Sequence, residues 1–156
     1  MFSEGGNGIP ALDEKGLLPP GVWNCTLSEA EAVFCSNPRR RELWTGLQQF
    51  LDAEVRPHGN LPVWIDGSFT RRKDHPNDID VVVDFSECQA ADAIQIAISL
   101  YLRNTAIKAT YHIDAYPRHP AIPQDLSAYF QYAGPKVAAE LHVDERQRKG
   151  ILRVLP

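Results

Sequence analysis

Two short apolar runs set the frame of the chain. Leu61 to Ile65 reads as a first core strand, and Ile79 to Phe85 is nearly continuously apolar, the pattern of a strand covered on both faces. Lys108 to Tyr116 alternates, which predicts a third strand broken at Pro117, and Ile151 to Leu155 a last short one. Helical periods fill the intervals. Leu43, Leu47, Phe50 and Leu51, with Trp44, form one stripe. Ala90, Ala93, Ile94, Ala97, Ile98, Tyr101 and Leu102 form another, predicting helices from Pro38 to about Val55 and from Gln89 to Asn104.

Local signals fix several boundaries. Thr26-Leu27-Ser28-Glu29 has the spacing of a capping box, so a short helix is expected from Leu27 to Cys35. Asn37-Pro38 starts the next helix, with Asn37 as N-cap and Pro38 at the first helical position. After three prolines in the stretch from Pro117, short helices are expected from Asp125 to Tyr132 and, beyond Gly134-Pro135, to His142. Residues 1–25 hold many Gly and Pro residues and no period. They are expected to form an irregular arm docked on the domain through residues such as Leu17, Leu18 and Val22. The sum is an α/β (α+β) domain over residues 26–156, a small mixed β-sheet flanked by helices.

Composition narrows the setting. The chain has 156 residues, enough for one domain with one core. No run approaches the roughly 20 apolar residues that span a bilayer, and the first residues lack a signal-peptide pattern, so a cytoplasmic protein is expected. Cys25, Cys35 and Cys88 are irregularly spaced, which suggests reduced packing residues. A net charge of −4 offers no extended basic face for tight duplex nucleic-acid binding. Local clusters at Arg39–Arg41, Arg71–Lys73 and Arg146–Lys149 suit a phosphate-bearing small molecule or the end of an RNA. The first of these is expected to be a solvated face.

The chemistry gathers at Trp64–Asp84. Asp78 and Asp80 open the second strand two residues apart, so both carboxylates share a face. Asp114 lies among apolar neighbours on the third strand, where an unpaired charge is costly and a shared cation is a good partner. Three converging carboxylates suit Mg²⁺ or Mn²⁺. Gly67 lets backbone approach a phosphate, Ser68 adds a donor, and Arg71, Arg72 and Lys73 carry charge to neutralise it. Asp84 shares the phase but lies about 13 Å further along. Asp66 is expected to fix the turn, Lys149 to be a solvated turn residue, His75 to be exposed, and His112 to pack or hydrogen-bond.

Gly67-Ser68, a nine-residue gap, Asp78-Ile79-Asp80, a β-branched strand and a later single Asp resemble the DNA polymerase β-like nucleotidyltransferase superfamily. The wording N-D-I-D-V-V-V-D-F is most similar to its minimal (MNT-type) bacterial branch. The stretch I-P-A-L-D-E-K-G-L-L-P-P-G-V resembles the lead-in of an uncharacterised bacterial subfamily. The first resemblance covers residues 60–116. It implies a phosphate-holding turn at Gly67 and Ser68, metal ligands at Asp78, Asp80 and Asp114, and help from Asp114 in activating an acceptor hydroxyl. The implied activity is transfer of a nucleoside monophosphate from a triphosphate such as ATP to a protein side chain, a tRNA end or a small molecule, releasing pyrophosphate. A protein partner of the toxin–antitoxin type is implied by the same resemblance. The chain departs from the pattern in its basic loop and in Asp66, where family members often carry an apolar residue. A nucleotide-binding module that regulates a partner without transfer is the alternative expectation.

Overall fold

The computed structural model describes residues 8–156, so Gly5 and Gly6 of the expected arm lie outside the described residues. Five strands form one mixed sheet: β1 Gly21–Cys25, β2 Val63–Asp66, β3 Ile79–Asp84, β4 Ile113–Arg118 and β5 Gly150–Val154, in spatial order β1-β5-β2-β3-β4. β2 runs antiparallel to both of its neighbours, while β3 pairs β4 and β1 pairs β5 in parallel. The helices are α1 Leu27–Phe34, α2 Pro38–Phe50, α3 Ala93–Leu102, α4 Asn104–Tyr111, α5 Leu126–Tyr129 and α6 Gly134–Leu141. α2 continues through a wider π turn, Leu51–Val55, and a 3₁₀ turn, Arg56–His58.

The near-continuous apolar run of β3 follows from its cover. Val81 and Val83 join Val63, Ile65, Ala115 and Val154 in the main core beneath α1 to α4, while Val82 packs with Val22, Trp64 and Ile151 on the opposite face. On that second face the apolar cluster, edged by Leu126 and Phe130, covers only the middle of the sheet. Polar side chains occupy the rest.

The capping signals form as expected. Thr26 Oγ1 accepts from the Glu29 N–H at 3.1 Å, and Glu29 accepts from the Thr26 N–H at 2.9 Å. Asn37 accepts from the Arg40 N–H at 2.9 Å, with Pro38 in the first turn.

Four expectations need correction. The arm is not irregular throughout, because Gly21–Cys25 is an edge strand whose partner β5 lies at the other end of the chain. The third strand does not begin at Lys108. α4 runs to Tyr111 and ends on His112 in the left-handed conformation (φ 58°), whose N–H donates to the Lys108 carbonyl at 2.9 Å. That single left-handed residue converts helix to strand without a Gly or Pro to announce it. On α3 only Ala93, Ala97 and Leu100 are buried, whereas Ile98, Tyr101 and Leu102 face outward. Finally, Arg40 is not part of a solvated face. It is 4% exposed, and its guanidinium donates to the carbonyls of Phe34, Phe69, Arg71 and Lys73 at 2.6–3.2 Å. The loop that follows β2 is therefore moulded around a cation from α2.

Candidate functional site

Strand register assembles an acidic row. Asp66 on β2 is the cross-strand partner of Asp80 on β3, and Asp80 is the partner of Asp114 on β4. Directly paired residues point to the same side of a sheet, so three carboxylates stand abreast on the second face. Asp78, two residues before Asp80, points the same way. The Asp78–Asp80 pair and the single Asp114 expected from the sequence thus meet in one place, and Asp66 joins them as a fourth acid rather than as a turn residue alone.

Their environments differ. Asp66 is 3% exposed in its side chain and forms a buried ion pair with Lys149. Burial pushes its carboxyl up, while the Lys149 ammonium, the Gly67 N–H and the Thr70 hydroxyl oppose that shift. Among the described residues, no cation forms an ion pair with Asp80. Burial, followed by the charges of Asp78, Asp66 and Asp114, pushes its pKa up to about 8. Asp114 is held by polar neighbours: Asn104 donates to one oxygen at 2.9 Å and the Tyr116 hydroxyl to the other at 3.1 Å. Lys108, at the exposed end of α4, lies 3.2 Å from Asp78 and 3.9 Å from Asp114. Contacts with Asp78 and then Asp114 push its ammonium up, favouring the charged form.

The turn after β2 sits against this row. Gly67 has φ 81°, and a Cβ there would lie 2.1 Å from an Asp80 carboxylate oxygen and 2.8 Å from its Cγ. Only glycine allows this close approach. Gly67→Ala is expected to cost about 1–2 kcal/mol from the left-handed backbone alone. Because the same methyl meets the Asp80 carboxylate, the loss read by denaturant unfolding should exceed that backbone cost.

Gly67, Ser68, Asp66, Asp78 and Asp80 open into one cleft of about 250 Å³, together with Arg71 and Lys149. Lys149 is a second correction. Far from being a solvated turn residue, its side chain is 8% exposed and faces the cleft from the turn before β5. Asp114 does not line this cleft and stands at the outer end of the row. The basic loop divides. Arg71 is buried in the cleft wall, ion-paired to Glu140 of α6, and its Nε has no partner among the described residues. Arg72 and Lys73 line a separate depression with Phe34 and Asp74. There the Arg72 N–H donates to the Gly16 carbonyl at 2.8 Å. They are not among the residues facing the acids. His75 is exposed as expected, and His112 serves as the left-handed cap. Asp84 closes the far end of β3, accepting from the Ser86 N–H and pairing with Arg118 at 3.0 Å.

Among the described residues, no group of three His, Cys, Asp or Glu side chains stands as a ready-made metal cage. At the acid row, Asn104 and Tyr116 donate to the two Asp114 oxygens, and Lys108 bridges Asp114 to Asp78. The donor chemistry still suits a hard divalent cation. Asp78 and Asp80 present carboxylate oxygens to the cleft, and the crowding that raises Asp80 is relieved by positive charge placed there. Asp78 and Asp80 are the residues fit to hold such an ion.

The model of one protein family, described as a family of unknown function (DUF6932), matches residues 10–155 of the chain. No curated protein and no solved structure matches it. No helix among the described residues is long and apolar enough to cross a membrane.

Proposed function

The chain belongs to that family of unknown function, and we propose that it is a divalent-metal-dependent nucleotidyltransferase acting on a nucleoside triphosphate. The observation that carries this reading is the acid row, in which Asp66, Asp80 and Asp78 share one cleft with the Gly67-Ser68 turn and Asp114 stands at the outer end. A cluster of carboxylates beside backbone and cationic donors is suited to a polyphosphate that arrives with its own cations. The resemblance of Gly67-Ser68 and Asp78-Ile79-Asp80 to the DNA polymerase β-like superfamily supports the same reading.

In this proposal Asp78 and Asp80 hold Mg²⁺ or Mn²⁺, and the bound cation supplies charge neutralisation at the phosphates. The turn at Gly67 and Ser68 orients the β- and γ-phosphates, and Arg71 turns from Glu140 toward them. An acceptor hydroxyl attacks the α-phosphorus in line. Its new O–P bond forms as the bond to the bridging α–β oxygen breaks, and pyrophosphate leaves. Asp114, released from Lys108, takes the hydroxyl proton. The acceptor is a protein side chain, an RNA end or a small hydroxylated molecule, brought by a partner or bound at the open side of the cleft.

The test is transfer of label from α-³²P-labelled ATP, CTP, GTP and UTP into RNA and protein of a total cell extract. Label should require Mg²⁺ or Mn²⁺ and vanish with chelator. Transfer that survives chelation refutes the cation-dependent assignment. One observation favours a second reading, a nucleotide-binding module without transfer: Lys108, Asn104 and Tyr116 together occupy Asp114. Nucleotide binding without labelled product, across acceptors and metals, selects that reading.

A further inference from the structure

The cleft has two chemically distinct walls. One is the acid row and phosphate turn. The other is built by the segment that runs from α5 into α6, with Tyr129, Phe130, Tyr132, Pro135 and Val137 lining the same space. Tyr129 and Tyr132 are 59% and 45% exposed. That is large aromatic surface left uncovered beside a polar site, and both tyrosines also line an adjoining groove outside the cleft.

The aromatic wall is anchored rather than loose. Tyr129 packs edge-on against Phe130 at 5.6 Å between ring centroids, and Phe130 against Tyr116 at 6.0 Å. Tyr116 in turn donates to Asp114, so the aromatic series ends on the acid row. The backbone donors of residues 131–134 are already used. The N–H groups of Gln131 and Tyr132 donate to Ala128 and Tyr129, and those of Ala133 and Gly134 to Gln147 and Glu145. Around Tyr129 and Tyr132 the wall joins exposed aromatic surface to spent main-chain donors, so there it can stack a flat ring but reads little of its hydrogen-bonding edge.

We infer that Tyr129 and Tyr132 form the nucleobase subsite, holding the base by stacking with little selection among the four bases. The inference rests on the nucleotidyltransferase reading for the triphosphate end of the cleft. It adds that the substrate class is a nucleoside triphosphate of any base, rather than an inorganic polyphosphate or a single dedicated nucleotide.

Calorimetric titration with Mg²⁺ and the non-transferable α,β-methylene analogues of ATP, CTP, GTP and UTP, beside inorganic tripolyphosphate, tests it. The four analogues are expected to bind within about threefold of one another and each roughly tenfold or more tighter than tripolyphosphate, the scale of one stacked base. Tyr129→Ala and Tyr132→Ala should remove most of that tenfold advantage and leave tripolyphosphate affinity unchanged, while the Phe variants retain it. Both tyrosines are exposed, and far-ultraviolet circular dichroism checks that the variants stay folded. Equal binding of analogues and tripolyphosphate, insensitive to either Tyr→Ala change, overturns the base subsite. The triphosphate reading survives that outcome provided Asp78→Ala/Asp80→Ala abolishes tripolyphosphate binding. A preference for one base of about thirtyfold or more overturns stacking as the recognition mode, because stacking alone does not discriminate so far. If neither analogue nor tripolyphosphate binds the wild-type chain, the subsite and the nucleotidyltransferase reading fall together.

Discussion

Asp80→Asn is expected to make the metal-free protein more stable while abolishing the proposed nucleotidyl transfer. The sign follows from the folded-state pKa of Asp80, pushed up to about 8 by burial and by Asp78, Asp66 and Asp114. In the unfolded chain the same carboxyl ionises near pH 4. Below about pH 4 both states carry the proton and Asp80 costs nothing through ionisation. As pH rises from about 4 to about 8, the unfolded state gains by releasing the proton and the folded state does not. Stability from this group is therefore lost progressively across that window, with a slope of at most about 1.4 kcal/mol per pH unit. Asparagine is nearly isosteric and never ionises. At pH 8 the variant should exceed wild type by on the order of 3 kcal/mol, or roughly 5–10 °C in Tm, and the gap should close toward pH 4. Added Mg²⁺ or Mn²⁺ should raise the Tm of wild type and leave the variant unmoved, because the cation removes the repulsion that the substitution has already removed. Thermal melts across pH 4–9, with and without metal, provide the measurement. A variant less stable than wild type at pH 8 without metal would show that Asp80 anchors the turn rather than waits for a cation.

The same acid row shows what the sequence could and could not reveal. Asp78 and Asp80 were legible because strand period acts over two residues, and Gly67 because the small-residue turn sits between two apolar runs. Asp66 was legible as a residue but not as a member of the row, since its pairing with Asp80 depends on antiparallel register across a twelve-residue connection. Lys149 was hidden more deeply. It is carried to Asp66 by β5, whose position beside β2 is a property of the whole sheet. A lysine before a glycine reads locally as a solvated turn, and nothing nearby in sequence argues otherwise. β1 was missed for the same reason, because its five residues gain strand character from pairing with β5 rather than from their own alternation.

Lys108 is hidden from a sequence reading by a different route. Residues 108–116 alternate well enough for a strand, and the helix-to-strand change at His112 uses a left-handed conformation that sequence does not mark when the residue is not Gly or Asn. The difference matters for chemistry. On a strand, Lys108 would stand about 20 Å along from Asp114. At the end of α4 it instead folds back over Asp78 and Asp114. Loop chemistry was also divided in a way charge counting could not anticipate. Of three consecutive cations only Arg71 faces the cleft, because the carbonyls of Arg71 and Lys73 are drawn toward Arg40.

That inward pull makes Arg40→Met the substitution with the largest expected loss of stability. Methionine keeps much of the apolar stem and its packing against Phe69, over whose ring the guanidinium sits at 5.2 Å. What it removes is the donor set for the Phe34, Phe69, Arg71 and Lys73 carbonyls. Replacing a buried ion pair by apolar groups is often tolerated because both charges leave together. Here the acceptors are main-chain carbonyls that remain, and each buried acceptor left without a partner costs about 1–3 kcal/mol. Even if water reaches half of them, the loss comes to about 4 kcal/mol, a large part of the roughly 5–15 kcal/mol that holds a domain of this kind folded. Arg40→Lys keeps the charge but supplies a point donor in place of a fork, so it should recover less than half of that loss. The effect should reach the site as well, since Phe69, Arg71 and Lys73 belong to the loop that continues the Gly67-Ser68 turn. At a temperature where Arg40→Met is still folded, tripolyphosphate should bind it more weakly than wild type, although Arg40 does not line the cleft. Urea unfolding gives the stability term and calorimetry the binding term. A urea midpoint shifted by less than the equivalent of about 1 kcal/mol would show that the loop holds its shape without the α2 cation, and the phosphate turn would then owe its geometry to Gly67 and strand register alone.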